Sequence, residues 1–112
     1  MTLNELQKNC VRSLPPYLTR GDEALLGLLG LNSAAGDAVG MYKKTLYEGA
    51  ELDEKAFMEA LSHCIYFVAV IAHARDVSLE SVMKQVVEQT KAVNHRETVL
   101  ANGVEDCRGK EE

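Results

Sequence analysis

Three cysteines, Cys10, Cys64 and Cys107, are the residues of this chain that most directly suggest redox or metal chemistry. Cysteines that bind a metal usually come in pairs a few residues apart, whereas these three are widely separated. Their odd number also argues against a framework of disulfides. We therefore expect reduced thiols, with Cys64 serving as a small core residue.

A second feature with chemical consequences is the segment LGLNSAAGDAVGMYKK, residues 29–44, where apolar residues keep helical spacing but many side chains are very small. A glycine costs about 0.8–1.0 kcal/mol relative to alanine in an exposed helix interior. The segment therefore predicts a bare face that a ligand or another helix approaches closely. Helix packing without any ligand explains the glycines equally well. The small residues are Gly27, just before the segment, and Gly30, Ala34, Ala35, Gly36 and Gly40 within it.

The balance of charge excludes some partners. The chain has 112 residues, with 17 acidic and 12 basic side chains and a formal net charge of −5, which would repel a phosphate backbone. The first residues contain an acid and lack the apolar core of a signal peptide, and the longest apolar run, residues 64–72, is too short to span a bilayer. We expect one cytoplasmic domain, with neither a nucleic-acid polymer nor a membrane as partner.

Start and stop signals predict helices and no strand. Thr2 and Glu5 form a capping-box pattern for a first helix, which should end near Ser13 because two prolines follow. A second, long helix should begin near Asp22 and end at Glu48-Gly49, with an acid near its positive end and a glycine after its last turn.

Two more helices should follow, capped by Asp53 and Ser78. Together the four helices predict an all-α domain over residues 1–97. The polar residues 98–112 are predicted to be a mobile tail.

The third predicted helix is apolar on nearly every face. One stripe repeats at helical spacing and is expected to be continuously buried; it consists of Phe57, Leu61, Cys64, Ile65, Val68 and Ala72. The opposite face carries Met58, Tyr66, Phe67, Val70 and Ile71. Because a helix of this kind must be covered all round, we predict a homodimer, or a tetramer made of two such dimers, that buries Phe67, Val70 or Ile71 against the other copy. The alternative is a tightly closed monomeric bundle.

Four segments of the sequence resemble the motifs of one protein family. They are MTLNELQK at the start, GLNSAAGDAVGMYKK in the second helix, ELDEKAFMEALSHCIYF leading into the third and VSLESVMKQVVEQTK in the fourth. Over residues 1–95 the chain resembles the MazG-like all-α nucleoside triphosphate pyrophosphohydrolases. The resemblance implies a four-helix MazG-like bundle completed by homodimerisation, as a dimer or a dimer of dimers. In that family four carboxylates hold magnesium, and a nucleoside triphosphate is cleaved to monophosphate and pyrophosphate.

The resemblance implies that the metal-binding carboxylates come in two pairs. The two members of a pair lie three residues apart on one helix, so they share a face. The first pair falls on Ala34 and Asp37, and the second on Ala60 and His63. Glu59 points about 100° away from Ala60 and is not expected to replace it. Since magnesium needs a nearly octahedral shell of oxygens, the family's catalytic set is not intact here.

The fourth helix departs from the family as well. In the family an asparagine and a lysine face the phosphates, and these two positions fall on Val86 and Gln89. Lys43, Lys44 and Lys91 do match the family and are the expected substrate-binding residues, although lysines on a helix surface are often only solvated.

Asp37 and His63 are the remnant of the implied metal site. They could hold zinc or manganese because imidazole suits softer cations than magnesium, but two ligands make a weak site. Alternatively, His63 is a packed, hydrogen-bonded histidine. No cofactor is expected, and magnesium would be needed only if the family activity were retained.

Three functions are compatible with this pattern. The predicted one is a non-catalytic relative that binds a nucleotide or a partner protein in the old cleft. The second is a working pyrophosphohydrolase with a rewired metal site, which Ala34, Ala60, His63 and Val86 argue against. The third is a structural or regulatory helical dimer that binds no nucleotide.

Overall fold

A computed structural model describes the backbone of residues 1–104 and the side chains of residues 1–96. This part of the chain contains four helices and no strand, which confirms the predicted all-α class. The helices are α1 Leu3–Arg12, α2 Arg20–Glu48, α3 Glu54–Ala74 and α4 Leu79–Val104. Met1–Glu80 form one compact unit, and the described residues from Ser81 onward belong to a second unit.

Local capping interactions explain where the first helices begin and end. The Thr2 hydroxyl accepts a hydrogen bond from the Glu5 amide (3.1 Å), and Glu5 Oε1 accepts one from the Thr2 amide (3.3 Å), so the predicted capping box is confirmed. Helix α2 begins at Arg20, ahead of the predicted Asp22, because the Thr19 hydroxyl caps the Asp22 amide. It ends at Gly49, whose φ of 70° lies in the left-handed region that favours glycine.

The later helix starts also follow the sequence signals. Asp53 caps α3 as predicted, with its Oδ1 accepting from the Ala56 amide at 3.1 Å. Helix α4 starts directly after Ser78 and continues to Val104, past the expected domain boundary at residue 97. The remainder of the predicted tail, residues 105–112 with Cys107, lies outside the described residues.

Helices α2 and α3 form an antiparallel hairpin joined by residues 49–53. Its register is defined near one end by Gly27, which lies against Ile71, and then by Gly30, which lies against the Phe67 ring. Towards the connecting loop, the rings of Tyr42 and Phe57 are 6.1 Å apart. The two helices therefore remain neighbours along most of their length.

Gln7 fastens α1 to the far end of α3. Its Nε2 donates to the carbonyls of Ala69 (3.3 Å) and Val77 (3.0 Å), and its Oε1 accepts from the Leu79 amide (3.0 Å). The same helix ends near α3 through a short hydrogen bond between the hydroxyls of Ser13 and Tyr66. One amide side chain thus satisfies three backbone groups at the end of the unit.

The buried face of α3 differs from the predicted stripe. Leu61 and Ile65 are 44% and 43% exposed, so the stripe is not continuously buried within the chain. Instead Val70 is fully buried, and Phe67 and Ile71 pack on the glycines of α2. Val70 therefore has no exposed surface to offer a second copy. The homodimer that buries Phe67, Val70 or Ile71 against the other copy stays a prediction.

By length and composition alone, α2 and α3 are each capable of crossing a membrane. Only 11% and 22% of their most apolar windows are buried within the chain. Core helices of water-soluble proteins pass the same test, so the finding is weak evidence. The cytoplasmic location and the absence of a membrane partner remain predictions.

Candidate functional site

A groove between α2 and α3 brings together three of the four positions implied by the family resemblance. Its volume is about 490 Å3, and Asp37, Ala60 and His63 line it. The hairpin register explains why, since α2 and α3 run antiparallel and residues 37 and 60 fall at the same level. The structure therefore places these three positions in one groove, and the metal-binding role that the resemblance implies for them stays a prediction.

The alanines at the two positions where the resemblance implies carboxylates are almost fully buried. Ala34 is 5% exposed and Ala60 is 6% exposed. The shortness of both side chains lets α2 and α3 approach closely at this level. A carboxylate at either position would lie in a largely desolvated place, which is unfavourable unless a cation compensates it.

Glu59 lines the same groove as Asp37 and His63. Its turn along the helix does not remove it from the groove, because the groove is wide and the glutamate side chain is long. Sequence reasoning set Glu59 aside on angle alone. Only the register of the two helices reveals that Glu59 lines the groove together with Asp37, Ala60 and His63.

The residues of this groove do not fit a magnesium ion. Among the described residues, no group of three histidine, cysteine, aspartate or glutamate side chains is arranged to hold a metal. Asp37 and Glu59 supply carboxylates and His63 an imidazole, but they do not converge. A nearly octahedral oxygen shell is therefore not available from these side chains.

The three predicted phosphate-binding lysines lie in different places. Lys44 lines the α2–α3 groove, whereas Lys43, one residue earlier, does not. Lys91 lies on α4 in the second unit, where its ammonium group is 3.8 Å from the Glu88 carboxylate. Val86 and Gln89 lie on the same helix, and Val86 is half exposed.

The glycines of α2 fall into two groups. A Cβ on Gly27 would lie 2.6 Å from Ile71 Cγ1, and a Cβ on Gly30 would overlap the Phe67 ring. Gly36 and Gly40 line the groove, and a Cβ on either would meet nothing within 4 Å. Helix packing therefore accounts for Gly27 and Gly30, and it does not account for Gly36 and Gly40 within this chain.

Other lining residues were missed by sequence reasoning. Met41 and Ala56 contribute to the groove wall together with Glu59. Residue type alone carries no signal for them. Pairing the two helices in antiparallel order would have found all three.

Comparisons of the chain with protein-family models, curated proteins and solved structures find no match. The residues of the groove and of the exposed helix faces therefore carry the information about function.

Proposed function

We propose that this protein is a non-catalytic relative of the MazG-like pyrophosphohydrolases that acts as a binding module. The observation that carries the proposal is that Asp37, Ala60 and His63 line one groove while Ala34 and Ala60 are buried where the family would have carboxylates. Such a site lacks the negative charge and the oxygen ligands that hold magnesium. The scaffold remains, and magnesium-dependent hydrolysis is lost.

The first experiment measures pyrophosphate release from a panel of nucleoside triphosphates with magnesium, manganese or zinc. We expect no turnover above that of the buffer. Thermal shifts with the same nucleotides, with and without metal, report binding independently of turnover. Nucleotide binding without turnover supports the proposal.

A rewired enzyme is the second candidate, because Asp37, Glu59 and His63 share a groove. Turnover that disappears in both Asp37→Ala and His63→Ala would establish it and overturn the non-catalytic proposal. Lys55→Ala is a matched surface control, since Lys55 is exposed and lies outside this groove. Turnover unaffected by Asp37→Ala and His63→Ala would instead indicate a contaminating enzyme and leave the non-catalytic proposal standing.

We also propose that two copies of the chain associate through exposed apolar side chains. Leu25, Leu28 and Leu29 lie on one face of α2 and are 56%, 53% and 61% exposed. Leu61 and Ile65 form a second exposed pair on α3. Large exposed apolar patches are uncommon on monomers and typical of interfaces. A second copy would bury these side chains.

Light scattering at micromolar concentration tests this association. We expect a dimer or a tetramer in the wild type. Leu25→Lys with Leu29→Lys, or Leu61→Lys with Ile65→Lys, should reduce the mass to that of a monomer, while Val86→Lys on α4 is the matched control. A monodisperse wild-type monomer would contradict the proposal.

A further inference from the structure

A second groove lies at the opposite end of the compact unit, between α1 and the end of α3. Its volume is about 590 Å3. This size falls within the range of about 300–1,000 Å3 that small-molecule sites occupy. The residues that line it are Asn4, Gln7, Lys8, Val11, Arg12, His73 and Ser78. His63 and His73 are ten residues apart on α3, or roughly 15 Å of helical rise, so this groove is distinct from the α2–α3 groove.

Two cations on α1 give this groove its charge. Lys8 and Arg12 are one helical turn apart and line the same wall. Within the described residues neither makes an ion pair, and Arg12 Nη1 donates only to the neutral Asn9 Oδ1 at 3.3 Å. Like charges at this spacing repel each other. An anion between them would remove that repulsion.

The acidic side chains around this groove have partners of their own. Glu80 accepts a hydrogen bond from Asn4 Nδ2 at 3.5 Å. Glu23 Oε1 lies 4.0 Å from Arg20 Nη1 and 3.9 Å from His73 Nε2. Neither carboxylate forms an ion pair with Lys8 or Arg12. The charged side chains that line the groove itself are therefore these two cations, in a chain whose net charge is −5.

Hydrogen bonds fix the walls of the groove before any ligand arrives. Gln7 joins α1 to three backbone groups at the end of α3 and the start of α4. The guanidinium of Arg20 donates to the His73 carbonyl at 2.5 Å and pairs with Asp76 at 3.2 Å. Preformed walls reduce the entropy that is lost on binding.

We propose that this groove binds a small organic phosphate ester. A phosphate monoester carries close to two negative charges at neutral pH, which matches the ammonium of Lys8 and the guanidinium of Arg12. Both groups are common phosphate ligands in proteins. Val11 adds an apolar wall, and Asn4 and His73 add polar groups, for the organic part of the ligand.

The test is an NMR titration of the full-length, ¹⁵N-labelled chain with glucose 6-phosphate. Inorganic phosphate and glucose are titrated in parallel, so that the phosphate and the organic part are examined separately. We expect saturable shifts of the Lys8, Arg12 and His73 amides with glucose 6-phosphate, weaker ones with inorganic phosphate and none with glucose. The amides of Asp37 and His63 should not move.

Three variants complete the test. Lys8→Gln and Arg12→Gln should each weaken binding about tenfold or more, as expected for loss of a charge-assisted hydrogen bond. Both residues are exposed, so the variants should fold, and circular dichroism checks this. Lys55→Gln removes the same charge from an exposed site outside the groove and should bind like the wild type.

Several results would overturn the proposal. They are the absence of saturable shifts at millimolar ester, binding by Lys8→Gln and Arg12→Gln as tight as that of the wild type, and inorganic phosphate binding as tightly as the ester. Shifts confined to the amides of Asp37 and His63 would place the ligand in the α2–α3 groove instead. Failure here leaves the proposed non-catalytic function untouched, because that proposal concerns different residues.

Discussion

At one end of the α2–α3 hairpin two glycines meet large side chains, and nearer the connecting loop two other glycines meet open space. Gly27 and Gly30 receive Ile71 and Phe67, and this end is closed. Gly36 and Gly40 line the groove, and this end is open. Glycine on this one helix therefore makes room for α3 at one end and leaves open space at the other.

The closed end explains its glycines completely, because a side chain on α2 would displace part of α3. The open end does not, since alanine would fit there and would form a better helix. Gly36 and Gly40 thus lower the stability of the helix, and no packing contact inside this chain offsets that loss. Within the described part of this chain no contact explains the glycines of the open end.

The largest effect is expected where the two ends meet. Ala34→Glu, Ala60→Glu and His63→Asp would join Asp37 to give four carboxylates. Because Ala34 and Ala60 are buried, uncompensated charge there should destabilise the metal-free variant by about 3–5 kcal/mol. Magnesium at a hundredfold excess over Kd should restore about 2.7 kcal/mol, measured by chemical denaturation with and without the metal.

Its matched control is Ala34→Gln, Ala60→Gln and His63→Asn, which has similar shape and no added charge. Magnesium should change the free energy of unfolding of neither this control nor the wild type. A magnesium-dependent rise in wild-type melting temperature would show that the groove still binds the ion. A folded carboxylate variant that ignores magnesium would mean that these positions do not form the family's site.

Gly30→Ala should damage the closed end. The added Cβ would overlap the Phe67 ring, which must move within a packed interface. Overpacking of this kind costs about 1–3 kcal/mol, and urea denaturation measures it. Gly30→Ala combined with Phe67→Leu should recover part of the loss; if the double variant is no more stable, the contact is not the cause.

Gly40→Ala should have the opposite sign. With nothing within 4 Å of the new Cβ, the variant should gain about 0.8–1.0 kcal/mol from helix propensity. Denaturation at several protein concentrations separates this gain from any change in association. If Gly40→Ala is less stable than the wild type, the space beside Gly40 is not open, and another chain already packs there.

The smallest effect is expected for Asp37→Asn. Among residues 1–96, Asp37 is exposed and makes no hydrogen bond or ion pair, so the free energy of unfolding should change by less than about 0.5 kcal/mol. The change should be equally small in magnesium. A larger, metal-dependent loss on thermal denaturation would show that Asp37 is still a ligand.

Local signals were the most predictable part of the fold. Thr2, Asp53 and Gly49 mark helix ends because a cap is a contact between neighbours in the chain. The predicted start of α2 at Asp22 is two residues late, because Thr19 caps the helix and the Asp22 amide donates to that cap.

The site was less predictable than the helices. Asp37, Ala60 and His63, which the resemblance implies lie together, line one groove. The turn of about 100° between Glu59 and Ala60 predicts that Glu59 lies elsewhere, yet Glu59 lines the groove too. The resemblance itself remains a proposal. The buried face of α3 was also misassigned, because apolar residues on every side of a helix carry no information about which side another helix will cover.

The sequence alone determined the all-α class, the capped ends of α1 and α3 and the alanines, rather than carboxylates, at positions 34 and 60. These features depend on residue identity and on contacts a few positions apart. Only the tertiary structure decided that Phe67 closes on Gly30 while Leu61 stays exposed, since that choice depends on how α2 and α3 are turned toward each other. The hydrophobic effect has no direction, so shape complementarity between the two helices selects the face.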